Sequence, residues 1–462
     1  MTKLICMKKS IHLFFILLFV AATLLSYRLI HKRNGEDYVL FKNLRLIDGN
    51  GVAATERTDI LVQGERIAVI APGQSVAGAI VVDLRGKTIM PSLISAHTHV
   101  GTLKGVSNKQ SNYTRENILA QLKKYEDYGV GNLLVMGSDR PMMFENGLRD
   151  SSVRGQLPGA IIHSAGYGFG TPQGGPPIGF GFDVIYRPSN PGQVAGEMDS
   201  LAEIKPDLVK LWLDDFGGQF KKMDPAIYKE VIKQAHRHGL RVAAHVYYLA
   251  DARQLLNDGV DIFAHSIRDS IVDDALIREM RARHTLYIPT LSLDEFAYIY
   301  ARRPDWMNDA FFKASLEPGV YEMISSEKYQ NDLKNSPAYA RNVHAFETAL
   351  KNLKKLYDAG ILICMGTDSG AQPVRAQGFS EHLELELMVQ AGLTPLEAIT
   401  IGTRNSSRLL NIDKDFGTIE KGKRADFLIL DGDPSADIKN TRKIIAVYKA
   451  GKKVSEGPLH GQ

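Results

Sequence analysis

Apolar residues along this chain fall into three textures. Residues 11–25 form one nearly unbroken apolar run behind Lys8-Lys9. From 38 to 87 the pattern changes to short β-like runs, among them Tyr38-Val39-Leu40-Phe41, Ile60-Leu61-Val62 and Ile67-Ala68-Val69-Ile70, with turn formers such as Gly49-Asn50-Gly51 and Pro72-Gly73 between them. Beyond 87, apolar runs of strand length alternate with helix-like stretches, the pattern of parallel βα units. Eight such runs stand out, at 88–97, 132–136, 160–165, 208–213, 241–246, 262–265, 285–290 and 361–367. Eight is the number that a TIM barrel needs. The short-strand texture returns at Asp426-Phe427-Leu428-Ile429-Leu430 and Ile444-Ile445-Ala446-Val447-Tyr448. The expected fold is therefore α/β. A (β/α)8 TIM barrel spans 88–413, and the two chain ends, 35–87 and 414–455, pair into a small β-sandwich.

Two connections are long enough to shape a binding face. Residues 166–182 carry seven glycines together with Tyr167, Phe169 and Phe180. Residues 291–360 are aromatic and charged, and read as partly helical. Either could equally be a plain surface insertion.

Composition changes the picture in one respect. The net charge of +4 comes from the first 34 residues, where Lys3, Lys8, Lys9, Arg28, Lys32 and Arg33 have no acid among them. Without them 50 basic residues face 52 acidic ones, which excludes a nucleic-acid footprint. The basic start and apolar middle of residues 1–34 read as a signal peptide or N-terminal membrane anchor. The expected location is extracytoplasmic, with residues 11–30 as the sole membrane attachment. Cys6 lies in that segment and Cys364 in an expected strand, so no structural disulfide is expected.

The candidate chemistry lies in six residues in a fixed order: His97, His99, Lys210, His245, His265 and Asp368. Each falls at the C-terminal end of its own apolar run, where a TIM barrel carries its active site. Strand side chains alternate faces, so His97 and His99 point the same way and can grip one ion. A lone His-x-His is weak, and His245 or His265 taken singly fits a satisfied core histidine. Thr367-Asp368-Ser369-Gly370 taken alone reads as a turn. Lys210 sits among Leu208, Val209, Leu211 and Trp212, where an unpaired lysine is rare. The order of all six outweighs the bland readings. Tyr167, Tyr247, Tyr248 and Arg268 are candidates for substrate contact, with exposed loop residues as the default. His163, His236, His238 and His382 are expected to serve packing or solvation.

Pro91-Ser92-Leu93-Ile94-Ser95-Ala96-His97-Thr98-His99 resembles the Pro-Gly-Leu-Ile-Asp-x-His-x-His signature of the amidohydrolase superfamily. Val209-Lys210-Leu211-Trp212, Val242-Ala243-Ala244-His245, Ile262-Phe263-Ala264-His265 and Met365-Gly366-Thr367-Asp368 match its later stations in order. The resemblance covers about residues 40–454. It is closest to the branch of imidazolonepropionase-like enzymes and lysine-containing Xaa-Pro and Xaa-Arg dipeptidases. Ser92 and Ser95 depart from the signature's Gly and Asp, neither of which is a ligand in the family.

The resemblance implies two divalent metal ions, zinc by default. His97, His99 and Asp368 would hold one and His245 and His265 the other, bridged by a carboxylated Lys210. It further implies attack by a metal-bridging hydroxide on an amide-type C–N bond, with Asp368 shuttling the proton. The substrate would be a small molecule, dipeptide-like or a cyclic amide, and homo-oligomers are compatible with this reading. The alternatives are a one-metal imidazolonepropionase-like hydrolase, a lactonase or esterase on the same scaffold, and an inactive binding protein.

Overall fold

The computed structural model describes residues 38–178 and 181–460. The apolar run read as an export segment lies outside the described residues, as do Cys6 and Phe180. Among the described residues no helix is long and apolar enough to cross a membrane.

The strands Leu93–Thr98, Val130–Val135 and Ile161–Ser164 form one parallel sheet, and Val209–Trp212, Val242–His245, Ile262–Ala264 and Leu286–Ile288 form a second. All of these strand residues are buried except at scattered positions such as Gly131 and Leu286. Near-continuous apolar strands suit a parallel sheet covered on both faces. Phe169 joins the two sheets, donating to the Lys210 carbonyl and accepting from Trp212 N. Residues 361–369 extend the second sheet, through Cys364 N to the Tyr287 carbonyl. They also return to the first strand, through Ala96 N to Met365 O and Thr367 N to His97 O. The arrangement is TIM-barrel-like α/β. Seven of the eight expected runs coincide with strands. The eighth, 361–367, is held by these bonds and isolated bridges rather than a continuous ladder.

The first expected strand, 88–97, divides in two. Thr88–Pro91 pairs antiparallel with Phe427–Leu430, while Leu93–Thr98 enters the parallel sheet. Apolar residues on both sides of Pro91-Ser92 hid the change of partner, because both halves are buried. Thr88–Pro91 belongs to an eight-stranded sheet with strands from both chain ends. Tyr38–Leu46 lies near its centre, beside Thr55–Gln63, Ile80–Asp83 and Thr88–Pro91. Its own core centres on Phe41, Phe427 and Tyr448, whose rings meet at 5.0–5.1 Å.

His382 fastens the helix Phe379–Gln390 to two other segments. Its ring nitrogens meet the Tyr128 carbonyl at 2.9 Å and the Thr441 hydroxyl at 3.0 Å. Burial holds this imidazole neutral, with its pKa lowered from 6.5 to about 3. The unfolded chain binds the proton at higher pH than the folded chain, so stability falls as pH drops from about 6.5 toward about 3. His382→Gln should remove that share of the slope, up to about 1.4 kcal/mol per pH unit. Urea unfolding at a series of acid pH values measures it; equal slopes in both proteins refute the assignment.

Candidate functional site

The C-terminal ends of the parallel strands bring the six residues together. His97, His265 and Asp368 present donor atoms that all lie within 4.8 Å of one another, close enough to hold an ion. His99 Nε2 stands 2.9 Å and His97 Nε2 3.2 Å from the same oxygen, Asp368 Oδ1. His245 is outside that triple, yet its ring centre lies 4.2 Å from that of His265. Lys210 is fully buried two residues deeper in the sheet, opposite Ala243, while Trp212 at the strand end stands opposite His245.

Local backbone conformation aims these groups. His265 and Asp368 both adopt left-handed φ, +79° and +56°, and so does Thr290 at +52°. Non-glycine residues persist there only when their surroundings compel them. Gly370 follows at φ +82°, where a β-carbon would stand 2.1 Å from the His99 carbonyl. The strand end of His99 and the loop after Asp368 can therefore approach only over a glycine.

Buried polar groups fix the imidazoles. His99 Nδ1 meets the Ser138 hydroxyl at 2.5 Å and His265 Nδ1 the Thr290 hydroxyl at 2.8 Å. His245 Nε2 lies 3.0 Å from Asp214 Oδ2. Behind Asp368, the buried Glu381 accepts from Thr367 at 2.6 Å, Ser369 at 2.9 Å and Ser95 at 3.2 Å. Ser95 occupies the aspartate position of the family signature; an aspartate there would face this buried carboxylate. Glu384 accepts the backbone N–H groups of Leu291 and Ser292 and so holds the loop that carries Thr290.

The electrostatics are lopsided. Burial lowers His97 to about 3, pulls His265 and His245 below the ordinary histidine range, and brings Lys210 from 10.5 to about 7. The imidazoles of His97, His245 and His265 are thus neutral near pH 7, with lone pairs to offer. Burial opposes charge on Asp368, but the Arg375 guanidinium and hydrogen bonds from His97 and His99 hold its carboxyl well below the usual range. Of the buried side-chain atoms with no hydrogen-bond partner among the described residues, three belong to this cluster: His97 Nδ1, His245 Nδ1 and Lys210 Nζ. Buried polar atoms seldom remain unpaired, and three together point to a ligand.

A cavity of about 420 Å³ opens onto His99, His245, His265 and Asp368. Its walls include Phe182 from the glycine-rich connection, and Trp212, Phe216 and Phe220 on and beyond a strand end. Tyr247 and Arg268, expected to contact substrate, line it, with the guanidinium 4.6 Å from the tyrosine ring centre. Arg268 is held by Asp294 at 3.0 Å and by the Val246 and Ser266 carbonyls. Tyr167 and Tyr248 are not among the lining residues. Tyr167 packs on Phe144 and Tyr186, and Tyr248 donates to Asp215 at 2.9 Å. His163 pairs with Asn132, while His236 and His238 pair with Asp261 and Asp199 near the surface.

The sequence reading missed Asp214, Asp294, Arg341 and Arg375, all of which line the cavity. Asp214 follows a candidate strand directly, which was a usable signal. Arg341 comes from a helix inside the long connection, and no sequence spacing links it to the rest.

The amidohydrolase family model matches residues 88–454. Imidazolonepropionase from Shouchella clausii is 23% identical over 442 residues, covering 89% of this chain and 88% of that protein. The structure of a Xaa-Pro dipeptidase with bound methionine in the active site superposes with a TM-score of 0.70 at 22% identity, covering 90% of this chain and 99% of that one. That of molinate hydrolase gives 0.69 at 18% identity, covering 91% and 95%. At these identities the structural likenesses establish the fold alone.

The unpaired amine makes a measurable demand. Lys210→Met keeps length and removes the buried amine, so in chelator-treated protein it should stabilise by about 1–3 kcal/mol near neutral pH. The parent's stability should rise with pH between about 7 and 10.5, where the unfolded chain alone keeps the proton. Denaturant unfolding from neutral to alkaline pH reads both effects; a large destabilisation by Lys210→Met would mark a paired structural lysine instead.

Proposed function

This chain belongs to the amidohydrolase family, hydrolases of carbon–nitrogen bonds, and on that premise we propose that it cleaves an amide-type bond in a dipeptide-like or cyclic amide substrate with two divalent metal ions. The observation that carries the reading is the cluster of four buried imidazoles, one amine without a hydrogen-bond partner and one carboxylate, of which His99, His245, His265 and Asp368 line a cavity of small-molecule size. The donor set fits the ions. Neutral imidazole nitrogens suit zinc, and the orphaned nitrogens of His97 and His245 supply lone pairs. His97, His99 and Asp368 would hold one ion and His245 and His265 the other.

When bound, the ions would polarise the scissile carbonyl and make a water acidic enough to attack near neutral pH. The protein's own part is orientation and proton movement. Asp368, kept anionic by its neighbours, accepts the proton of the attacking water and passes it to the leaving nitrogen. Phe182, Trp212 and Phe216 limit water at the reacting carbon. Lys210, neutral above about pH 7, can attack carbon dioxide. Its nitrogen forms a bond to carbon and releases a proton, leaving an anionic carbamate that two cations can share.

The same proposal extends to architecture and placement. The eight parallel segments form a closed (β/α)8 barrel that begins at Leu93, the end sheet, which takes in Thr88–Pro91, curls into a β-sandwich with strands from 414–455, and residues 1–34 direct export. One observation favours a one-metal variant: the tightest donor group is the single triple His97, His265 and Asp368.

Elemental analysis decides between them, with two ions per chain expected in the parent and fewer in Lys210→Ala. Asp368→Asn should lower kcat by about 100-fold or more on whichever substrate turns over in a panel of N-acyl amino acids, Xaa-Pro dipeptides, hydantoin-like rings and lactones. Turnover at the parent's rate by Asp368→Asn, or turnover confined to lactones, would sink the assignment.

A further inference from the structure

The charged groups lining the cavity are almost all spent on one another. Asp214 is engaged by His245 at 3.0 Å and Asp294 by Arg268 at 3.0 Å. Asp368 is shared among His97, His99 and Arg375, which also commits the Arg375 guanidinium. Arg341 is different. It lines the same cavity from the third position of the helix Tyr339–Asp358 with an exposed side chain, near enough to the Tyr247 phenol to counter part of the rise that burial gives its pKa. Among the described residues it makes no ion pair with a carboxylate and no hydrogen bond to a carbonyl. Its guanidinium lies against Gly217, in the loop that carries Phe216 and Phe220. A β-carbon on Gly217 would fall 2.0 Å from an Arg341 guanidinium nitrogen, and Gly217 itself sits at φ +75°. The backbone therefore leaves a bare place over which this cation rests at the cavity wall.

We propose that Arg341 is a specificity-determining residue that selects amide substrates carrying a free carboxylate. This rests on the hydrolase reading above and adds to it the charge of the substrate. A guanidinium is a planar fork of donors that matches a carboxylate with two parallel hydrogen bonds. One uncommitted cation balances one negative charge, so a monoanion fits better than a phosphate dianion. The cavity, about 420 Å³ with an aromatic wall, suits a molecule of dipeptide size with an apolar portion. Arg341 belongs to the long connection at 291–360 rather than to a strand end, so the framework that holds the six central residues does not depend on it.

Matched probes test this on the metal-loaded enzyme: N-benzoylglycine against N-benzoylglycinamide, and glycyl-L-proline against glycyl-L-prolinamide. Binding is followed by tryptophan fluorescence, since Trp212 lines the cavity, and turnover is measured in parallel. The carboxylate member of at least one pair should bind about tenfold more tightly, and high salt should shrink that preference. Arg341→Met should abolish it, appearing as a rise in KM more than a fall in kcat, and Arg341→Lys should keep part of it. Circular dichroism establishes that both variants fold. If no pair favours the carboxylate, or the preference survives in Arg341→Met as direct capture by metal would give, the inference is overturned. Binding preference without turnover of any probe would support Arg341 and count against the hydrolase reading, whereas turnover without preference would do the reverse.

Discussion

Four imidazoles and a lysine amine, all withdrawn from water, face only two carboxylates, Asp214 beside His245 and Asp368 beside His97 and His99. That imbalance is the constraint on which the rest of the site depends. Burial strips the proton from His97 and weakens its hold on Lys210, so the cluster avoids an accumulation of unshielded positive charge. Asp368 remains ionised because two imidazoles and Arg375 surround it. Nitrogen lone pairs are left facing inward without partners, an arrangement that costs free energy in a bare protein and gains it back on meeting a cation.

Holding such a cluster requires a framework stiffer than the strands alone. Glu381 ties Ser95 of the first strand to Thr367 and Ser369 on either side of Asp368. Glu384, three residues along the same helix, fixes the turn that presents Thr290 to His265. Burial raises both carboxyls, Glu384 to about 8, so each hydrogen bond they accept offsets a desolvation cost. Left-handed conformations at His265, Thr290 and Asp368 are local strain that this network maintains. The chemistry and the buttressing are thus one construction seen from its two sides.

The cavity divides into a chemical end, shaped by strand termini, and an outer end, shaped by connections. Phe182 and Phe216 reach it from two loops and Arg341 from a helix in a third connection. A family fold carries no substrate by itself. Selectivity in this chain resides where connections meet, in the charge left over once Asp214, Asp294 and Asp368 have found partners.

Much of this was legible in the linear chain. Apolar run lengths located seven parallel strands, and the order of His97, His99, Lys210, His245, His265 and Asp368 anticipated that these six side chains gather at or near the strand ends, because a strand's period of two and a barrel's polarity leave few other positions for them. The division of 88–97 between two sheets was not legible, since both halves are equally apolar and only pairing partners distinguish them. Nor was the choice among loop residues: Tyr247 and Arg268 reach the cavity, while Tyr167 and Tyr248 turn to Phe144 and Asp215. Sequence alone determined what recurs with a local period. Tertiary structure decided what depends on which distant segments come to lie side by side, such as Arg341 over Gly217 and Glu381 against Ser95, because contacts across more than a hundred residues leave no periodic trace in the chain.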